Sequence, residues 1–267
     1  MRDTMRKRRE AAGHPGRTLA RLLLLAAIRS FMFVPLATFA EGAESVESIV
    51  RKLEANQVFD TSTLEARLSV TNRFGVTGSA FRAWARKGGD TLIEITSGPD
   101  RGQKILRQGP NVYLYFPEAE DVVWLKGSAL KDSMMGSDFS YEDLTKDGSI
   151  LGRFDATLEG TEVWDGADCY RVRLVAKTRN ETYAREDLLV DARDFVTRKA
   201  ILFSASGKPI RELVATDVRT VSGKKIPFVT RMRDLLRKDS VTEMTIERIA
   251  IGLPLSDSYF NREELSW

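Results

Sequence analysis

Cysteine and histidine are nearly missing from this chain of 267 residues, which holds one of each, Cys169 and His14. A lone cysteine forms no internal disulfide, so stability must come from burial and hydrogen bonding. His14 falls within the first forty residues, and everything after them lacks histidine. That excludes Ser-His-Asp and Cys-His catalysis and histidine-based zinc or iron sites in that part. Enzymatic chemistry there would have to run on carboxylates, lysine or tyrosine. Cys169 stands in the strand-like run Cys169-Tyr170-Arg171-Val172-Arg173 and reads as a small packing residue.

Long apolar runs are scarce as well. The one candidate is N-terminal, where a basic stretch precedes Leu22–Ile28 and Phe31–Phe39 and the small-residue pattern ends at Ala40. This reads as an export signal over residues 1–40, cleaved before Glu41, with one exported domain over 41–267. The alternative, an uncleaved anchor, is opposed by Arg29 and Pro35, which interrupt a span of about 20 apolar residues. Excess positive charge is also missing outside this segment. Of 41 basic and 38 acidic residues the first forty hold eight and two, leaving 33 and 36, a net of −3. The arginines at period two, Arg82, Arg86, Arg171 and Arg173, therefore read as solvated strand faces rather than a nucleic-acid surface.

What is present is period-two patterning. Val46, Ile49, Val50 and Leu53 form one amphipathic helix opened by Ser45. From Leu64 onward, apolar residues alternate with polar ones in runs punctuated by turns such as Gly88-Gly89-Asp90, Gly109-Pro110-Asn111, Asp165-Gly166 and Ser222-Gly223. Short runs with no helical pattern between them predict antiparallel strands adjacent in sequence, about a dozen in number. So many strands must curl or close, because a large open sheet exposes edges. Gly98-Pro99-Asp100-Arg101-Gly102-Gln103-Lys104 has glycines and a lysine but not the phosphate-loop spacing.

The long interruption of the strand rhythm, residues 126–145, ends in Gly136-Ser137-Asp138-Phe139-Ser140-Tyr141-Glu142-Asp143-Leu144. Ser140 with Asp143 approximates a capping box, and acidic residues suit a helix start. The competing reading makes Asp138, Glu142 and Asp143 an acid/base pair or cation site. The structural role is preferred, because neighbouring carboxylates in sequence carry no fixed separation in space. No metal, cofactor or catalytic residue is expected.

The run from Ser97-Gly98-Pro99 through Lys104-Ile105-Leu106 and Val112-Tyr113-Leu114-Tyr115-Phe116-Pro117 to Met135–Leu144 resembles the outer-membrane lipoprotein-sorting protein family, the LolA-like group of bacterial periplasmic proteins. The resemblance implies a mainly β, LolA/LolB-like incomplete antiparallel barrel of about 11–13 strands covered by a few short helices. It further implies a non-enzymatic carrier of lipoprotein, lipid or other hydrophobic cargo, holding acyl chains in an apolar cavity. Such a monomer would touch the membrane transiently and meet an inner-membrane transporter. An envelope scaffold docking on an exporter without binding lipid is the alternative.

Strand alternation nominates Phe81, Ile93, Ile95, Tyr113, Tyr115 and Trp124 as cavity lining, joined by Met134, Met135 and Phe139 from the interruption. Gly136, Ser137, Asp138, Ser140, Tyr141, Glu142 and Asp143 would form a lid over it, hinged at Gly136, with the carboxylates facing water. The competing reading of the apolar faces is a filled core.

Overall fold

The computed structural model describes residues 44–145, 148–237 and 239–266. The proposed signal and its cleavage point lie outside them. Helix α1 (Val46–Gln57) starts where the Ser45 hydroxyl accepts the Ser48 N–H at 3.1 Å, and it buries Ile49, Val50 and Leu53 along one stripe. No helix among the described residues is long and apolar enough to cross a membrane.

Thirteen strands follow: β1 (Thr61–Asn72), β2 (Gly75–Arg86), β3 (Asp90–Ser97), β4 (Lys104–Gln108), β5 (Asn111–Phe116), β6 (Asp121–Leu125), β7 (Phe154–Trp164), β8 (Ala167–Ala176), β9 (Arg185–Asp191), β10 (Thr197–Phe203), β11 (Pro209–Val221), β12 (Lys224–Asp234) and β13 (Val241–Ile251). They make one antiparallel sheet in the order β6-β5-β4-β3-β2-β1-β13-β12-β11-β10-β9-β8-β7. Every neighbour is also a neighbour in sequence except β1 and β13, which join the two halves from Ser62↔Ile251 to Thr71↔Val241. The sheet is not closed. Its edges, β6 and β7, are consecutive in the chain, and the segment between them carries the short helices α2 (Tyr141–Thr145) and α3 (Ile150–Arg153).

Antiparallel order sets two ends. The upper end carries the β1–β2, β3–β4, β5–β6, β8–β9, β10–β11 and β12–β13 connections, and the lower end carries the β2–β3, β4–β5, β7–β8, β9–β10 and β11–β12 turns. The sheet curls around α1. Ile49, Val50 and Leu53 meet Ala66, Leu68, Phe81, Ile93, Ile105 and Met232 in the main apolar cluster. Strands β3–β5 are buried on both faces, because Phe260 and Leu265 near the C-terminus cover Leu92, Leu106 and Tyr115 on the outside.

One neighbouring pair is only partly zipped. β12 and β13 pair from Val229↔Thr245 to Arg233↔Val241, whereas β12 runs on beside β11 to Lys224 and β13 beside β1 to Ile251. Below Val229 the two strands part. Two irregularities lie at that level: β13 bulges opposite Glu65/Ala66, and Asp217 of β11 takes φ 51°. Pro227 has no N–H to offer the open side, and the Lys225 N–H is taken by Asn56 Oδ1 at 3.0 Å. Asn56 Nδ2 also donates to Asp194 O at 2.8 Å and Phe195 O at 3.1 Å, so this one amide ties α1 to two lower turns.

Candidate functional site

A cavity of about 580 Å³ opens inside the β8–β13 half, beneath α1. Its walls are mostly apolar, Leu53, Phe154, Leu174, Leu188, Leu202, Leu213, Met232 and Met244 among them, with Ala200 and Ala215 leaving the space and Arg153, Glu186, Thr197 and Thr230 as polar members. Asn56, Phe59, Lys225 and Pro227 border its lower end, and Phe139, Asp143 and Tyr183 its upper end. The volume lies within the range of small-molecule sites, and the predominance of hydrocarbon on the walls suits an apolar ligand. In the other half, β1–β5, Phe81, Ile93, Ile95 and Ile105 are buried in the main core, and a smaller cavity of about 210 Å³ opens between Leu64, Ala83 and Leu144.

The upper end is stopped by the segment after β6. Met134 N–H donates to Phe139 O at 2.8 Å and Ser137 N–H to Met134 O at 2.9 Å, making a tight loop whose apex, Met135 and Gly136, has φ of 52° and 64°. A Cβ at Gly136 would meet nothing within 4 Å, so glycine there serves the left-handed backbone rather than close packing. The loop drives Met134 and Phe139 into the core, while Met135 is half-buried.

The carboxylates correct the expectation that they face water. Asp138 is 2% exposed and accepts the Ser240 hydroxyl at 2.7 Å and the Thr242 hydroxyl at 2.9 Å, while its own N–H donates to Thr242 Oγ1 at 2.8 Å. Arg211 Nε donates to Asp138 O at 3.2 Å, and the same guanidinium pairs with Asp234 at 2.8 Å. Glu142 is buried and accepts the Thr182 hydroxyl. Asp143 Oδ2 accepts the Ser140 N–H at 2.8 Å and the Tyr183 hydroxyl at 3.0 Å, and Ser140 Oγ accepts the Asp143 N–H at 3.1 Å, a reciprocal cap with Asp at its third position. Buried carboxylates persist where donors surround them, and here the sheet supplies hydroxyl donors. Burial pushes the Asp143 carboxyl above the ordinary carboxylate range against those hydrogen bonds, and burial followed by the Asp143 charge pushes the Tyr183 phenol up as well, so Tyr183 remains a donor.

The sequence-nominated residues fall into three groups. Phe139 reaches the cavity wall, with Asp143 beside it. Phe81, Ile93, Ile95 and Met134 belong to the main core, with Met135 packed against it. Tyr113, Tyr115 and Trp124 stand on the outer face instead of the inner one: Val112 and Leu114 point inward, Tyr115 packs beneath Phe260 and Leu265, and Tyr113 lies 6.3 Å from the Trp124 ring. Strand alternation alone does not tell which face is inside. The wall residues from β8 to β12 were missed, although Ala200, Leu202, Leu213 and Ala215 stand at the alternating positions that could have disclosed them. Of His, Cys, Asp and Glu side chains, no three among the described residues group as a metal site would require.

A helix wrapped by an open antiparallel sheet, with a hollow between them, is the LolA-like fold. The chain matches the LolA superfamily protein from Nitrosomonas europaea at a TM-score of 0.70 and 20% identity, over 83% of this chain and 99% of that one. It matches a DUF1329 family protein from Desulfovibrio piger at 0.75 and 22% over 84% and 100%, and a domain from Vibrio parahaemolyticus named for outer membrane lipoprotein sorting at 0.74 and 17% over 82% and 97%. A family model whose description reads "Uncharacterized protein" matches residues 88–267, and the chain belongs to that family. No curated protein matches the sequence.

Proposed function

We propose that the chain is an exported, non-enzymatic carrier of lipidated or otherwise hydrophobic cargo, working in the periplasm toward the outer membrane. The observation that carries this reading is the apolar cavity of about 580 Å³ between α1 and strands β8–β13, stopped at its upper end by Phe139. Moving an acyl chain from water to such walls is favourable by roughly 0.8 kcal/mol per CH₂, so burial alone binds it without catalytic groups. The fold shared with a domain named for outer membrane lipoprotein sorting supports the same direction. Below the point where β12 and β13 part, Ile226, Phe228 and Ile246 pack with Phe59, Ile249 and Ile251, so the wall there is held by side chains rather than by paired backbone.

Displacement of a fluorescent fatty-acid probe tests the reading. Ala215→Phe places a ring inside the hollow, and the affinity for the probe is expected to fall at least tenfold while the thermal midpoint holds. Unchanged affinity in a folded variant refutes the cavity as the binding site. The scaffold alternative draws on the edge strand β6, where Val123 and Trp124 are 40% and 48% exposed. It predicts capture of a membrane exporter by the chain and no bound acyl species.

A further inference from the structure

The two most exposed large apolar side chains among the described residues are Phe74 and Val76, at 84% and 69%, and both sit at the tip of the β1–β2 hairpin. This tip reaches past its neighbours, since β3 leaves β2 at Ala80↔Ser97 and β13 leaves β1 at Thr71↔Val241. Turn geometry does not ask for these residues. The two-residue turns Asp165-Gly166 and Ser222-Gly223 follow the usual rule, with φ of 48° and 76° and of 49° and 79°, but the β1–β2 apex is Arg73-Phe74, held by the Phe74 N–H on Asn72 Oδ1 at 2.8 Å. The Arg73 guanidinium lies 4.6 Å from the Phe74 ring centroid, and Thr71 to Gly78 contains no acidic residue. At the same end, the β12–β13 connection adds Leu236, 52% exposed, and Arg237, whose guanidinium lies 3.6 Å from Asp234, with the exposed Asp239 in the same loop.

We infer that the β1–β2 and β12–β13 tips dock on the surface of an anionic phospholipid bilayer, with Phe74, Val76 and Leu236 entering the headgroup boundary and Arg73 meeting its negative charge. A stable protein partner would need about 800 Å² from each side, more than three side chains on two loop tips supply. Interfacial anchoring needs no such area: apolar tips dip roughly 5–10 Å and basic residues beside them add attraction to anionic lipid. The docked end is also the plugged end, because Ser240 and Thr242, which hold Asp138, directly follow the Leu236–Arg237 loop. The inference goes beyond the carrier reading and does not depend on it.

Flotation of the full chain with vesicles of phosphatidylglycerol and phosphatidylethanolamine tests it, against vesicles of phosphatidylcholine alone. Phe74→Ser combined with Val76→Ser is expected to lower partitioning on the anionic vesicles about tenfold or more, and Arg73→Glu about tenfold. The exposed substitution Val163→Ser at the lower end is expected to change nothing. Since other parts of the chain could bind vesicles, a polarity-sensitive dye on Phe74→Cys in a Cys169→Ser background reads the tip directly. Its emission is expected to shift to the blue on anionic vesicles, while the same dye on Val163→Cys stays unshifted. No shift at position 74, or equal partitioning of the tip variants and the parent, overturns the inference. A lipid-free protein that still shows the shift preserves docking even where cargo binding fails.

Discussion

Replacing Asp138 by alanine should unlatch the plug, and the cost follows from what it leaves behind. Ser240 and Thr242, 7% and 0% exposed, both lose their acceptor in a place water does not reach. An unsatisfied buried hydroxyl costs about 1–3 kcal/mol, so the two together come to about 2–6 kcal/mol. For a domain of this size 1 kcal/mol moves the thermal midpoint by roughly 2–4 °C, giving a fall of about 4–24 °C by circular dichroism. Asp138→Asn keeps one carbonyl acceptor and should lose about half as much. Pairing Asp138→Ala with Thr242→Val removes the orphaned hydroxyl, so the double variant should be more stable than the sum of the single effects by about 1 kcal/mol. A fall of less than about 2 °C for Asp138→Ala, with additive energies in the double variant, would refute the latch.

Other perturbations have equally definite outcomes. The Asp143 carboxyl is held above its ordinary range by burial, so its contribution to stability is complete at acid pH and is lost as pH rises through the raised value. Urea midpoints of Asp143→Asn, neutral throughout, should therefore gain on the parent as pH increases from about 4 to 8, and parallel curves would contradict the shift. Gly98 has φ 98°, and a Cβ there would stand 2.4 Å from Ser79 Oγ and 2.8 Å from Gly78 O; Gly98→Ala should cost about 2–4 kcal/mol in chemical denaturation. Asn56→Ala breaks the three hydrogen bonds that join α1 to the lower turns. It should lower stability by about 1–3 kcal/mol and speed release of a bound fatty-acid probe in stopped-flow measurements, whereas unchanged release would separate the lower turns from the route of exchange.

Much of the architecture could be read along the chain because strands that neighbour one another in sequence also neighbour one another in space. The turns at Gly166 and Gly223 stand where glycine puts them. The β1–β13 junction is different: it pairs residues nearly two hundred apart, and no local pattern announces it. The position of the cavity was hidden for a related reason. The residues after Leu255 cover the outside of β3–β5, so that half is apolar on both faces and attracts attention, whereas the hollow half advertises itself only through Ala200 and Ala215. The acidic run Asp138–Asp143 reads as a solvated face until the hydroxyls of Thr182, Tyr183, Ser240 and Thr242 are brought to it by strands far along the chain.

Native mass spectrometry of the chain purified from the cell envelope, with extraction and identification of whatever leaves it on unfolding, tests the central claim most directly. A carrier retains acyl-bearing species in the parent and loses them in Ala215→Phe. A parent that emerges free of lipid, and takes up none when offered acylated peptide or phospholipid, would contradict the account.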